Sequence, residues 1–127
     1  MREVRSITTG GPLRQSIQIG PHTLAADESD AKGGNDEGPE PHELLLSALA
    51  SCMAMTMQAY AKHKGLALRQ VEVRLRGRHE DGTLVIERDV QVEGDLDEAQ
   101  RARVIEIGGR CPVARTLSAP VRMADAG

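Results

Sequence analysis

Residues 41–65 read PHELLLSALASCMAMTMQAYAKHKG, and the fold turns on this stretch. It holds the longest uncharged run in the chain, Leu44 to Ala61, with Cys52 near its middle. Leu, Ala, Met and Gln dominate it, and all four are strong helix formers. Pro41 suits a first helical turn and Gly65 the position just past a helix end. Lys62, His63 and Lys64 fall in the last turn, where positive charge suits the helix dipole.

The apolar residues of this helix do not keep to one stripe. Leu44, Leu45, Leu46, Leu49, Met53, Met55, Met57 and Tyr60 surround it. A helix apolar all round is buried in a core or in a membrane. Its length admits a span. Ser47, Ser51, Thr56 and Gln58 interrupt the run, however, and Ala is as common as Leu, so a buried central helix is the preferred reading. Covering it on every side is hard for 127 residues with no Phe, no Trp and one Tyr. Such a core is aliphatic and thin, and small domains bury a smaller share of their surface. A second copy of the chain is therefore expected to cover part of the helix.

The length fits one domain, residues 1–127. A net charge of -3 argues against nucleic-acid binding. The scarcity of aromatics removes the stacking platform of single-strand binders. The opening MREVRSITTGG carries no apolar segment of the signal-peptide kind. A cytoplasmic protein is expected, with no membrane partner and with both cysteines reduced at rest. No internal repeat is evident.

In chain order, Val4 to Thr9 reads as a weak strand and Gly10-Gly11-Pro12 as a turn. Leu13, Gln15, Ile17 and Ile19 follow as a second strand, then Gly20-Pro21 as a turn and His22 to Ala26 as a third strand. This makes a small antiparallel meander. Asp27 to Pro41 is acidic, Gly-rich and aperiodic. It reads as a solvated connector or as a flap over a site at the start of the central helix. Beyond that helix, Val71, Val73 and Leu75 alternate with charged residues, the clearest strand in the chain. Glu80-Asp81-Gly82 signals a hairpin. The return strand carries Leu84, Ile86, Val90 and Val92 on one parity, with Arg88 the odd member. Asp95 with Glu98 reads as a capping box. The helix that follows would turn Leu96, Ala99, Val104 and Ile107 inward and stop at Gly108-Gly109. Ala119 to Met123 reads as a final edge strand. The order of elements is α+β.

Two cysteines could carry chemistry. Cys52, inside an apolar helix, would be inert by itself, because apolar surroundings raise a thiol pKa. Cys111 precedes Pro112, which fits the first position of a short helix and makes Cys111 its N-cap. Arg110 and Arg115 lie near in sequence, and a helix start with arginines lowers a thiol pKa. The local sequence thus ranks Cys111 as the better thiolate and Cys52 as its partner. No metal site is expected. His42-Glu43 opens like a zinc-protease motif, but position 46 is Leu. The cysteines also lack zinc spacing. No phosphate loop or serine-hydrolase elbow occurs.

The pattern Pro41-x-Glu43-Leu44-Leu45-Leu46-x-Ala48-Leu49-x-x-Cys52, followed by Cys111-Pro112-Val113 and Thr116-Leu117, resembles the OsmC/Ohr family, the osmotically inducible and organic hydroperoxide resistance proteins. The likeness covers nearly the whole chain. It implies an intertwined homodimer, with antiparallel sheets wrapped around long central helices that carry the cysteines. It implies that Cys52 attacks an organic hydroperoxide and becomes a sulfenic acid. Cys111 would then resolve it as a disulfide, which an external dithiol or lipoylated reductant reopens. No bound cofactor is implied. The nucleophile is then the cysteine that the local sequence ranks second.

The family's peroxidases hold the thiolate with an arginine directly after the first Gly-Gly, and that arginine with a glutamate directly after the helix-leading proline. This chain has Pro12 and His42 at those places. Arg14 is the nearest arginine and Glu43 the nearest glutamate. One position swings a side chain about 100° round a helix. Glu43 can equally be a first-turn acid serving the helix dipole. Arg14, Arg110 and Arg115 are the candidate substitutes. The departures match the OsmC-like branch of the family. They leave a second reading, a weakly active or non-catalytic stress-associated protein of the same fold that binds an apolar small molecule.

Overall fold

The protein is described by a computed structural model covering residues 1–126. Two compact units divide the chain, residues 1–45 and the remainder from Leu46.

The first unit is the expected meander. β1 (Val4–Thr8), β2 (Gln15–Ile19) and β3 (His22–Ala26) form one antiparallel sheet in the order β1-β2-β3. Val4 pairs with Ile19, and Ile17 with Leu24. Leu13 lies outside β2 and is exposed. β1 is exposed along its whole length and β2 is half-buried.

The loop after β3 is not an unstructured connector. Asp27, only 3 % exposed, organises it. Its Oδ1 accepts the Glu28 N–H at 2.8 Å, and its Oδ2 accepts those of Asn35 at 3.2 Å and Glu37 at 3.1 Å. The Asp27 N–H donates to the Pro39 carbonyl at 3.1 Å. A single 3-10 turn, Asp30–Lys32, sits within. Gly34 is required there, because a Cβ would stand 2.1 Å from the Glu28 carbonyl oxygen. A short carboxylate that accepts nearby N–H groups gives a chain without periodicity a defined path.

α1 (Pro41–Lys64) spans the predicted stretch, and Gly65 closes it with a φ of 67°. Its burial differs from expectation. Within one chain only the row Leu49, Met53, Met57 and Ala61 is buried, an i, i+4 stripe. Met55 is 65 % exposed, and Leu44, Leu45 and Leu46 are half-buried. By length and composition alone this helix could cross a membrane.

In the second unit β4 (Ala67–Glu80) and β5 (Thr83–Asp95) form a long antiparallel hairpin. Its two-residue turn places Asp81 at φ 49° and Gly82 at φ 79°, the left-handed pair that matches strand twist. Val71 pairs with Val92 and Val73 with Val90, apolar side inward, while Glu72, Arg74 and Arg76 face water. The bulge falls between Leu68 and Gln70.

α2 (Glu98–Gly108) has its N-cap two residues later than predicted, at Asp97 rather than Asp95. Asp95 remains in the hairpin, paired with Ala67, so its backbone belongs to the sheet. Asp97 and Gln100 form the capping box instead, each side chain accepting the other's N–H. The inward set also shifts. Val104 and Gly108 are buried and Ile105 packs on the core, whereas Ala99 is exposed. The small Gly108 completes the buried row, a contribution invisible to an apolar pattern. Arg101 donates to the Val92 carbonyl, tying α2 to β5.

α3 (Pro112–Leu117) follows, with Cys111 as N-cap and Pro112 at the first position, as predicted. The predicted edge strand over 119–123 is absent. Ala119 is a bend whose N–H donates to the Thr116 carbonyl at 3.2 Å, and the residues after it belong to no strand, with Val121 68 % and Met123 92 % exposed. Pro120 removes a ladder donor, and a strand without a neighbouring edge gains no hydrogen bonds. The core joins Leu49, Met53 and Met57 of α1, Val92 of β5, Val104 of α2 and Cys111.

Candidate functional site

The two cysteines, about sixty residues apart in sequence, are neighbours in the second unit. Cys52 lies one position before the buried Met53 on α1 and is half-buried against the core. Cys111 is fully buried at the α2–α3 corner. Their side chains are neighbours and both are free thiols. The helices achieve this locally. Gly108 and Gly109 end α2, and the Cys111 N–H donates back to the Gly108 carbonyl at 3.3 Å. Pro112 then starts α3 in a new direction.

The pKa of Cys111 runs against the sequence expectation. Burial pushes its thiol up, and the adjacent Cys52 pushes it further. The N–H groups of Ala114 and Val113 pull the other way without winning. The Ala114 contact to Sγ is 3.4 Å long. The flanking arginines are engaged elsewhere. Arg110 pairs with Glu106, and Arg115 Nε donates to the Arg110 carbonyl at 3.0 Å. The expectation of a lowered Cys111 pKa is therefore corrected, because desolvation of a charge outweighs a one-and-a-half-turn helix start.

The other candidates lie in the first unit and are held locally. Arg14 pairs with Glu37 at 2.8 Å, tying the approach to β2 to the Asp27 loop. Glu43 Oε1 accepts the Glu40 N–H at 2.9 Å, one half of a capping arrangement at the start of α1. Among the described residues no group of three or more His, Cys, Asp or Glu could hold a metal ion.

Two features escaped the sequence reading, and a third, Arg88, was visible only as a charge out of pattern. Asp27 lies in an acidic loop and is signalled only by its position at a strand end before glycines. Arg103 donates to the Tyr60 hydroxyl and pairs with Glu106 at 3.1 Å, joining α1 to α2. Arg88, on an apolar parity, has its Nη1 only 3.1 Å from where a Cβ on Gly109 would stand. Open cavities of about 440 and 540 Å³ border it.

An α+β chain with antiparallel sheets and a long helix has the architecture of OsmC-type proteins. The family described as OsmC-like protein matches residues 33–124, and the chain belongs to it. Solved structures share the fold at low identity. An OsmC-like protein of Mycoplasma pneumoniae has a TM-score of 0.78 at 17 % identity, covering 93 % of this chain and 87 % of its own. An organic hydroperoxide resistance protein of Legionella pneumophila has 0.64 at 18 %, covering 91 % and 88 %. The organic hydroperoxide resistance protein OhrB of Bacillus subtilis has 0.63 at 18 %, covering 91 % and 89 %. No curated protein matches the sequence.

Proposed function

We propose that this protein is a cytoplasmic thiol peroxidase that reduces organic hydroperoxides through Cys52 and Cys111. The observation that carries the reading is the adjacency of the two free thiols. The Cys52 thiolate attacks the terminal peroxide oxygen. The O–O bond breaks, an S–O bond forms, and the alcohol leaves with a proton. Cys111 then attacks the sulfenic sulfur, releasing water and forming the disulfide. An external dithiol, free or lipoylated, reopens it by exchange and is itself oxidised. The division of labour follows from the environment. Cys111, fully buried with a raised pKa, suits the second step, where it needs to reach only a neighbouring sulfur. Half-buried Cys52 suits a substrate arriving from outside.

The chain acts as one OsmC-like domain over residues 1–127 and as a homodimer. What supports the dimer is the uncovered apolar surface: Met55 on α1, and Val4, Ile7 and Leu24 on the meander, are all exposed. A sedimentation mass of one chain at micromolar concentration would sink it.

A second reading is favoured by one observation. Pro12 stands where the family's peroxidases carry arginine, and Arg14 is already paired with Glu37. On that reading the protein binds an apolar small molecule without efficient turnover. Consumption of cumene hydroperoxide with a dithiol separates the two, with Cys52→Ser and Cys111→Ser as controls. The enzyme reading expects turnover that Cys52→Ser abolishes. The binding reading expects no turnover from any of the three, and an apolar compound that raises the melting temperature equally in Cys52→Ser.

A further inference from the structure

Along the inward parity of β5 the residues are Leu84, Ile86, Arg88, Val90, Val92 and Gly94, with one charge among them. Arg88 pairs across the hairpin with Leu75, itself packed on the core. Among the described residues its guanidinium has no ion pair. Glu87 is paired with Arg76 and Arg78, and Glu106 with Arg103 and Arg110. Arg88 is exposed, so water solvates its charge, and its guanidinium is open to an anion supplied from outside.

Two open cavities border Arg88 and Gly109. The first, about 440 Å³, is also lined by Glu106 and Arg110, which pair with each other. In the second, about 540 Å³, Arg88 is the only charged residue; Leu49, Leu84, Ile86 and Leu117 supply apolar walls. That volume is in the range of small-molecule sites. Leu117 is 40 % exposed there, apolar surface that a ligand could cover.

We propose that this cavity binds an amphipathic monoanion, a carboxylate on an aliphatic chain, with the carboxylate on Arg88 and the chain along Leu49, Ile86 and Leu117. The planar guanidinium matches a carboxylate in a two-point fork. The apolar walls contribute with chain length, about three- to fourfold in affinity per methylene buried. The site goes beyond the redox reading and requires neither cysteine.

Calorimetric titration with acetate, hexanoate, octanoate and octanol tests it. Octanoate should bind saturably, hexanoate more weakly and acetate at least tenfold more weakly still. Arg88→Gln should weaken octanoate at least tenfold, and Cys52→Ser should leave it unchanged. Octanol binding as tightly as octanoate, no saturable octanoate binding, or full affinity in Arg88→Gln would overturn the proposal. The octanoate–octanol comparison on the wild-type chain needs no variant. Cumene hydroperoxide has no carboxylate, so failure of peroxide turnover leaves this site standing, and the reverse holds.

Discussion

Met57 of α1 packs directly onto Gly108 of α2. A Cβ on Gly108 would stand 2.7 Å from Met57 Cε and 2.8 Å from Cγ. Both residues are buried, so the helices meet at this point with no spare room. The contact lies three residues before Cys111 and one helical turn beyond Met53, the neighbour of Cys52. Gly108→Ala would gain up to about 1 kcal/mol in helix propensity. It would lose about 1–3 kcal/mol to overpacking. A net loss of about 1 kcal/mol is expected, read as a lower urea midpoint at unchanged slope. A more stable variant would show that the helices can part freely.

Asp27 is the second point of prediction. Its carboxyl lies below the usual carboxylate range, chiefly because the Glu37 N–H bonds to it, with Glu28 and Asn35 adding to the effect. The folded state therefore holds the charge to lower pH than the unfolded chain does. Stability from this group is present above the ordinary value near 3.9 and is lost as pH falls through the folded value. Asp27→Asn turns one acceptor into a donor facing an N–H group. Amide exchange at Asn35 and Glu37 should quicken markedly, and the acid limb of the stability curve should flatten. Unchanged exchange would remove Asp27 from its organising role.

Cys111 behaves in the opposite sense. Its pKa is raised by burial, so the folded state keeps the proton when the unfolded thiol has lost it. Stability from this group is full below the ordinary thiol value, about 8.5, and declines as pH rises from there through the folded value. Melting temperatures from pH 7 to 10 should fall less steeply in Cys111→Ser than in wild type. Identical slopes would mean that the thiol is hydrated.

The hairpin turn offers a third check on the backbone. Gly82 has a φ of 79°, and Gly82→Ala should cost about 1–2 kcal/mol. Calorimetry showing no loss would mean that the turn changes type.

Most elements were legible because their signals are local. Pro41 and Gly65 bracket α1, Asp81-Gly82 turns the hairpin, and Cys111-Pro112 starts α3, each through the chemistry of one or two residues. The misses depended on distant partners. Asp95 looks like a cap until Ala67 pairs with it, and 119–123 looks like a strand until an edge is sought. Gly108 joins the core only because Met57 needs the space. The site divides in the same way. Local sequence could show two thiols but not that they meet, and it expected a lowered Cys111 pKa where burial raises it, because burial depends on the whole fold. The resemblance to the OsmC/Ohr proteins supplied the pairing that local physics could not.

The most direct measurement is peptide mapping by mass spectrometry after sub-stoichiometric cumene hydroperoxide, with no reductant present. The account predicts a Cys52–Cys111 disulfide within one chain, formed in proportion to peroxide and reversed by a dithiol. In Cys111→Ser it predicts a sulfenic acid trapped on Cys52. Peroxide left unconsumed, with both thiols still free in a folded protein, would contradict the peroxidase account and leave the binding reading in its place.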